Sequence, residues 1–211
     1  MTDITRTLEI LDRLIAFPTV SRDSNLDLID WVQNLLQTAG FDVTRIWSPD
    51  CTKAGLFARI GPGVDGGVCL SAHTDVVPVD GQVWTRPPFQ LTDEGARVYG
   101  RGTTDMKGFL ASALALAERA GETPLSAPLS LSISYDEEIG CVGIRHMMPD
   151  LKQLIGNPRL VIVGEPSSMQ VATGHKGKAA LKVTCHGQAG HSALAPQFVS
   201  AIHIAADFVQ Q

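Results

Sequence analysis

The spacing of apolar residues along the chain predicts helices and strands in alternation. At the N-terminus Ile4, Leu8, Leu11 and Ile15 recur at the interval of one helix face, and Pro18 follows as a stop signal. Further helices are expected at about 26–39, 106–120, 140–148 and 199–211.

Five runs rich in apolar and β-branched residues predict strands between these helices. They are DVTRIW (42–47), LFARI (56–60), VCLSA (68–72), LSLSISY (129–135) and RLVIV (159–163). Strands separated by helices are typical of layered α/β folds, so we expect a mostly parallel central sheet flanked by helices. Residues 178–187 alternate like a half-exposed antiparallel strand, which favours a domain boundary near residue 175, between parts 1–175 and 176–211.

Composition and charge narrow the possible partners of the protein. The 211 residues are 44% hydrophobic and 18% charged, which is typical of a globular chain. The formal net charge is −5 and no Lys/Arg cluster occurs, so neither a nucleic acid nor an anionic membrane is an expected partner. The four cysteines are scattered without a CxxC pair, and no signal peptide or long apolar segment is visible. We therefore expect a cytoplasmic protein with reduced thiols.

Residue types that bind metals follow several predicted strands. His73 and Asp75 come directly after the strand at 68–72, and Glu165 follows the strand at 159–163. Asp105 precedes a predicted helix, where taken alone it is most simply an N-cap. Each residue has such an ordinary explanation, but ligands gather beyond the carboxyl ends of strands in open α/β sheets. Together these imidazole and carboxylate groups predict a zinc site.

Three adjacent carboxylates, Asp136, Glu137 and Glu138, follow the strand at 129–135 with no basic residue within six positions. Taken alone the triplet is most simply a solvated turn, but a bound cation would offset the repulsion within it. Neighbouring side chains diverge where a strand ends, so one glutamate can bind metal while the other acts as a base. Asp75 is placed to accept the second N–H of the His73 imidazole.

Five motifs in this order resemble the di-zinc amidohydrolase family. The motifs are SAHTDVVPV (71–79), GRGTTDMKGF (100–109), DEEIGCVG (136–143), GEPSSM (164–169) and GQAGHSA (187–193). That family includes acetylornithine deacetylase, succinyl-diaminopimelate desuccinylase, aminoacylase and bacterial glutamate carboxypeptidase. The resemblance covers about residues 8–211. It implies a zinc aminopeptidase-like catalytic domain in residues 1–175 and the beginning of a small α+β dimerisation domain in residues 176–211.

The resemblance also implies how the metal-type residues divide between two Zn²⁺ ions, for which Co²⁺ is a possible substitute. His73, Asp105 and Glu165 would hold one ion. Asp105 would bridge to the second ion, which Glu138 also binds. A cis peptide bond between Asp105 and Met106 is expected as well.

Three further residues receive catalytic roles from the resemblance. Glu137 would be the general base, and Asp75 would orient His73. His191, in the smaller domain, would reach across a homodimer and steady the oxyanion in the neighbouring active site.

The expected reaction is removal of an N-acyl group from a small amino-acid substrate. The motifs look most like the acetylornithine deacetylase branch, which implies conversion of N-acetylornithine to ornithine and acetate in arginine biosynthesis. A desuccinylase, another aminoacylase or a carboxypeptidase stays open as an alternative. A phosphate-binding role for GTTDMKG is excluded, because the order GxxxxGK[ST] is missing.

Relatives in the family are longer, and their second zinc takes one more histidine from a later segment. The remaining histidines match no ligand position, and they are His146, His175, His186 and His203. The chain also ends inside an apparent helix. We therefore expect an N-terminal fragment with an incomplete second metal site, and a fragment that only binds metal or a partner chain is the second hypothesis.

Overall fold

A five-stranded sheet in which four strands point the same way forms the centre of the larger part of the molecule. The strands are β1 (Asp42–Trp47), β2 (Ala54–Ile60), β3 (Val68–His73), β4 (Thr92–Asp93), β5 (Val98–Tyr99), β6 (Leu129–Ser134) and β7 (Leu160–Val163). Their order in the sheet is β1-β2-β6-β3-β7, while β4 and β5 form a separate two-stranded ribbon. Because β2 alone is reversed, the predicted layered fold with a mostly parallel sheet is confirmed.

Helices cover both faces of this sheet. They are α1 (Ile4–Ile15), α2 (Leu26–Thr38), α3 (Gly108–Gly121) and α4 (Val142–Leu154). The main hydrophobic core joins α1, α2 and α3 to one face of the sheet, through side chains such as Leu14, Leu36 and Leu114. A smaller cluster packs α4 on the other face, where Met147 and Leu151 meet Phe57. Of the α1 face that the sequence periodicity predicts, Leu11 and Ile15 are buried and Leu8 is partly buried, whereas Ile4 is 67% exposed.

The computed structural model describes residues 4–174, 176, 177 and 179–210. The chain divides into two compact units, Met1–Met169 and Gln170–Gln211. The boundary predicted near residue 175, and the assignment of the parts to catalytic and dimerisation domains, stay predictions. His175 and Lys178 lie outside the described residues. In the described part of the chain, no helix has the length and apolar character needed to cross a bilayer.

The second unit contains a 3₁₀ helix, Ser192–Gln197, and α5 (Ala201–Gln210). The strand predicted at 178–187 is wrong for the residues described there, because 179–187 form no strand. An alternating pattern becomes a strand only beside a partner strand, and none is present in the described residues of this unit. The helix predicted at 140–148 also differs, since α4 continues six residues further, to Leu154, through Pro149.

Candidate metal centre

Three parallel strands deliver functional side chains to one edge of the sheet. β3 ends at His73, which lies opposite Ser134 at the end of β6. β7 pairs with the other side of β3 and ends at Val163, shortly before Glu165. The carboxyl ends of parallel strands meet at the same edge, which explains why residues so far apart in the sequence lie together.

The His73 imidazole is the centre of the site. It is 1% exposed, and its Nδ1 lies 2.9 Å from the backbone oxygen of Asp75. Its Nε2 faces three carboxylates, at 3.1 Å from Asp105 Oδ1, 3.9 Å from Glu137 Oε2 and 3.8 Å from Glu165 Oε1. With Nδ1 donating its proton to Asp75, the Nε2 lone pair points at negatively charged oxygens. That arrangement requires a cation between them, either a proton or a metal ion.

Asp75 joins His73 to the turn that follows β6. Its buried carboxylate accepts a hydrogen bond from the Ser21 hydroxyl at 2.6 Å. It also accepts the backbone N–H groups of Glu137 and Glu138, at 3.0 and 3.2 Å. Asp75 therefore positions the imidazole, through its backbone oxygen at 2.9 Å and its carboxylate at 3.3 Å, and also the two glutamates.

The irregular turn Thr103–Lys107 presents Asp105. The peptide bond between Asp105 and Met106 is cis, which confirms the prediction. The buried Lys107 ammonium donates to the backbone oxygens of Leu14 and Phe17, at 2.9 and 2.7 Å. These contacts attach the turn to the end of α1, and burial lowers the pKa of Lys107 to about 7.

Glu165 reaches the site because its chain neighbour is a glycine. A Cβ at Gly164 would lie 2.0 Å from the Phe109 ring, so only glycine permits this close approach of the chain to α3. Glu165 then points its carboxylate toward His73.

Crowding of charged groups displaces several pKa values in the centre. Burial by itself lowers the pKa of His73, but Asp75, Glu165 and Glu137 together raise it to about 9. Burial, followed by repulsion from Asp105, raises the pKa of Glu138 to about 7. Such displaced values are typical of sites that bind a cation or transfer protons.

Two groups of side chains could hold a metal ion, and both contain His73. One group adds Glu137 and Glu165, and the other adds Asp105 and Glu138, with all ligand atoms of a group within 4.8 Å of one another. Four predicted site residues, all carboxylates, therefore lie together around the His73 imidazole. Neither group equals the predicted set of His73, Asp105 and Glu165, so the division between two ions stays a prediction.

His191 lies in the second unit. It precedes the 3₁₀ helix, and its Nδ1 accepts the backbone N–H of Ala193 at 3.1 Å. Its expected contribution to a neighbouring subunit stays a prediction.

Lys53 and Ser21 were not among the predicted site residues. The Lys53 ammonium lies 2.5 Å from Asp136 Oδ1 and also contacts the backbone oxygen of Ser21. The positive charge beside the acidic triplet thus comes from a distant segment of the chain. A lone lysine in a polar turn carries no signal that could have identified it.

Comparison with known proteins identifies the family. The profile of Peptidase family M20/M25/M40 matches residues 69–209. Acetylornithine deacetylase of Shigella sonnei is 36% identical over 209 residues, which make up 96% of this chain and 54% of that protein. The chain belongs to this family. Acetylornithine deacetylase of Klebsiella pneumoniae is 37% identical, with the same coverage of both proteins.

The solved M20 family metallo-carboxypeptidase Sso-CP2 from Sulfolobus solfataricus has a similar fold. The TM-score is 0.66 over 75% of this chain and 37% of that chain, at 23% identity. The chain spans about half the length of the curated M20 relatives that it matches. The resemblance to the amidohydrolase family, first seen in five short motifs, is confirmed at the level of the family.

Proposed function

We propose that the protein is a zinc-dependent amide hydrolase that removes the acyl group from an N-acyl amino acid. N-acetylornithine is the proposed substrate, with ornithine and acetate as products, in arginine biosynthesis. The observation that carries the proposal is the buried His73 imidazole, whose Nε2 faces carboxylates of three separate segments within 3.1–3.9 Å. The similarity to two acetylornithine deacetylases favours this substrate over a succinylated one.

The spacing of these groups supports Zn²⁺ as the ion. Bonds of ~2.0–2.2 Å from zinc to nitrogen and oxygen place the ligand atoms of a tetrahedral site about 3.4 Å apart. The separations from His73 Nε2 to Asp105 and Glu165, 3.1 and 3.8 Å, bracket that value. Asp75 supports the same role, because it fixes the tautomer that leaves Nε2 free to bind a metal.

His73, Asp105, Glu138 and Glu165 would hold the metal, with Co²⁺ as a possible substitute. When bound, the ion supplies Lewis acidity to the amide carbonyl and lowers the pKa of water.

Glu137 is the proposed base. Its side chain is 34% exposed at the edge of the site, where water and substrate can reach it. It takes a proton from the attacking water and returns it to the nitrogen of the leaving amine. Its backbone N–H is held by Asp75, so the position of the base is fixed by the same residue that orients the imidazole.

His191 and a homodimer complete the proposal. An oxyanion needs a positioned donor, and the loss of one such donor typically costs ~3–4 kcal/mol in transition-state stabilisation. His191 of one subunit is proposed to supply that donor to the site of the other subunit. Its exposed position before the 3₁₀ helix is compatible with that contact.

A direct test is hydrolysis of N-acetylornithine against N-succinyl-diaminopimelate, with ornithine or diaminopimelate measured as the released amine. Zn²⁺-loaded protein should release ornithine, and chelation should abolish the reaction. Preferred release of diaminopimelate would overturn the choice of substrate, and release of neither amine would overturn the proposed activity.

A protein that only binds metal is the second candidate, and one observation favours it for the 211-residue chain alone. Both candidate metal groups contain His73. If one ion binds this imidazole, a second ion would find only carboxylate ligands among the described residues of these groups. We expect zinc to be held weakly in that position. Turnover by the 211-residue chain in excess Zn²⁺ or Co²⁺ should then fall far below the enzyme median of about 10 per second. Turnover near the median would contradict this second candidate.

A further inference from the structure

Lys53 connects two segments that support the candidate metal centre without touching the metal-type residues themselves. It lies just before β2, and its side chain is 13% exposed. Its ammonium lies 2.5 Å from Asp136 Oδ1 and also contacts the backbone oxygen of Ser21. A lysine held in this way brings the segment before α2 and the turn after β6 together.

Both partners of Lys53 lead directly to the glutamates. Ser21 donates its hydroxyl to Asp75, which holds the backbone N–H groups of Glu137 and Glu138. Asp136 is the residue before Glu137, and its φ of 53° lies in the left-handed region. Aspartate tolerates that conformation better than most residues, but it still needs support from its surroundings. The ion pair with Lys53 fixes the Asp136 carboxylate, and with it the direction in which the turn leaves β6.

We propose that Lys53 is a positioning residue, which fixes the turn that presents Glu137 and Glu138 to the metal centre. Its effect passes through Asp136 on one side and through Ser21 and Asp75 on the other. The importance of this effect for turnover rests on the proposed function, but the effect on the turn itself does not.

The alternative is an ion pair that only stabilises the fold. The two roles predict faster backbone hydrogen exchange in different parts of the molecule when Lys53 is replaced. Loss of general stability speeds backbone hydrogen exchange throughout the sheet, whereas loss of positioning speeds it locally, at the amides that Asp75 holds. Positioning also affects metal affinity, because residues that orient ligands typically change it by about 10–100-fold.

The test compares Lys53→Met with Lys152→Met, a matched removal of one ammonium from the exposed surface of α4. Backbone exchange is measured by NMR, and Co²⁺ binding is followed by visible absorption. In the Lys53→Met variant, the backbone amides of Glu137 and Glu138 should exchange their hydrogens at least about tenfold faster than in the parent. Co²⁺ binding should be about 10–100-fold weaker. Its Co²⁺ absorption bands should shift, while Lys152→Met matches the parent. Uniformly faster exchange across β2 and α2, or two unchanged readouts, would overturn the proposal.

A second variant keeps the test decisive if Lys53→Met folds poorly. Asp136→Asn removes the other member of the pair, and asparagine also tolerates the left-handed conformation. Asp136→Asn alone should speed exchange of the Glu137 and Glu138 amides and weaken Co²⁺ binding, and unchanged values would overturn the proposal. Where both single variants fold, the double variant should bind Co²⁺ more tightly than the product of the two single effects implies, since neither charge is left unpaired. Multiplicative effects would contradict the proposed coupling.

The two proposals fail in different ways. A parent protein that hydrolyses no N-acyl amino acid would refute the proposed function, while the exchange rates would still decide the role of Lys53. An active parent whose Lys53→Met variant matches Lys152→Met in exchange and Co²⁺ binding would refute the role of Lys53 alone.

Discussion

Replacement of Asp75 by asparagine should destabilise the metal-free protein more than replacement of an exposed aspartate does. The carboxylate of Asp75 is 3% exposed, and each of its oxygens serves two donors. Oδ1 faces His73 Nδ1 at 3.3 Å and the Glu137 N–H at 3.0 Å, while Oδ2 accepts from Ser21 and the Glu138 N–H. The asparagine side chain would offer one oxygen and one NH₂ group, so the backbone N–H of Glu137 or Glu138 would lose its acceptor, while the Ser21 hydroxyl can turn and His73 Nδ1 keeps the Asp75 backbone oxygen. At ~1–3 kcal/mol for an unsatisfied donor, the free energy of unfolding should fall by roughly 1–3 kcal/mol.

The same substitution should change the pH dependence of stability. The pKa of His73 is raised from 6.5 to about 9 in the folded state, with Asp75 as the first favourable cause after opposing burial. A raised pKa stabilises the fold fully below about pH 6.5, and this stabilisation is lost as the pH rises toward 9. The shift corresponds to roughly 3 kcal/mol. Without the Asp75 charge, the decline between pH 6.5 and 9 should become much shallower.

Urea unfolding of the metal-free protein at several pH values between 6 and 9.5 measures both effects. Asp80→Asn is the matched control, because Asp80 lies nearby in the sequence but pairs with Arg22 at the solvent-exposed surface. The reasoning is refuted if Asp75→Asn loses no more stability than Asp80→Asn at pH 6, or if it keeps the slope of the parent.

Three further outcomes are expected for the metal centre. His73→Ala should lose bound zinc in metal analysis, because both candidate groups contain this imidazole; unchanged stoichiometry contradicts the assignment. Glu137→Gln should keep the metal and lose nearly all turnover, while Glu138→Gln should lose metal affinity; the opposite pattern means that the two roles are reversed. Co²⁺ affinity should rise between pH 6 and 8, since the raised pKa values of Glu138, about 7, and His73, about 9, keep both ligands protonated at lower pH. A titration with equal affinity at both pH values would argue against both residues as ligands.

The convergence of His73, Glu137 and Glu165 could be predicted from the sequence because of a simple geometric rule. Buried strands of one direction end at one edge, so polar residues after each strand meet there. The rule holds here because β6 pairs in parallel with β3, and β3 with β7. The reversed strand β2 does not disturb it, since no histidine, cysteine or carboxylate comes directly after that strand.

The contact between Lys53 and Asp136, which lies beside the metal centre, could not be predicted in the same way. Lys53 contacts Asp136 across 83 positions of sequence, and neither residue stands in a periodic pattern. Such a contact depends on how the segment before β2 packs against the turn after β6, which is a tertiary property. The strand predicted at 178–187 is wrong over the described residues 179–187 for a related reason, because alternation describes one strand while a sheet requires a partner.

The strand order has a consequence for synthesis on the ribosome. The hairpin of β1 and β2 emerges first and β3 follows, but β6 must then insert between β2 and β3. At about 5–20 residues per second, several seconds pass before β6 becomes available. During that interval one edge of β2 and both edges of β3 lack their final partners, and both strands are rich in apolar residues. A nascent chain that stalls before residue 129 therefore leaves apolar strand edges unpaired, and the arrival of β6 covers one edge of β2 and one edge of β3 together.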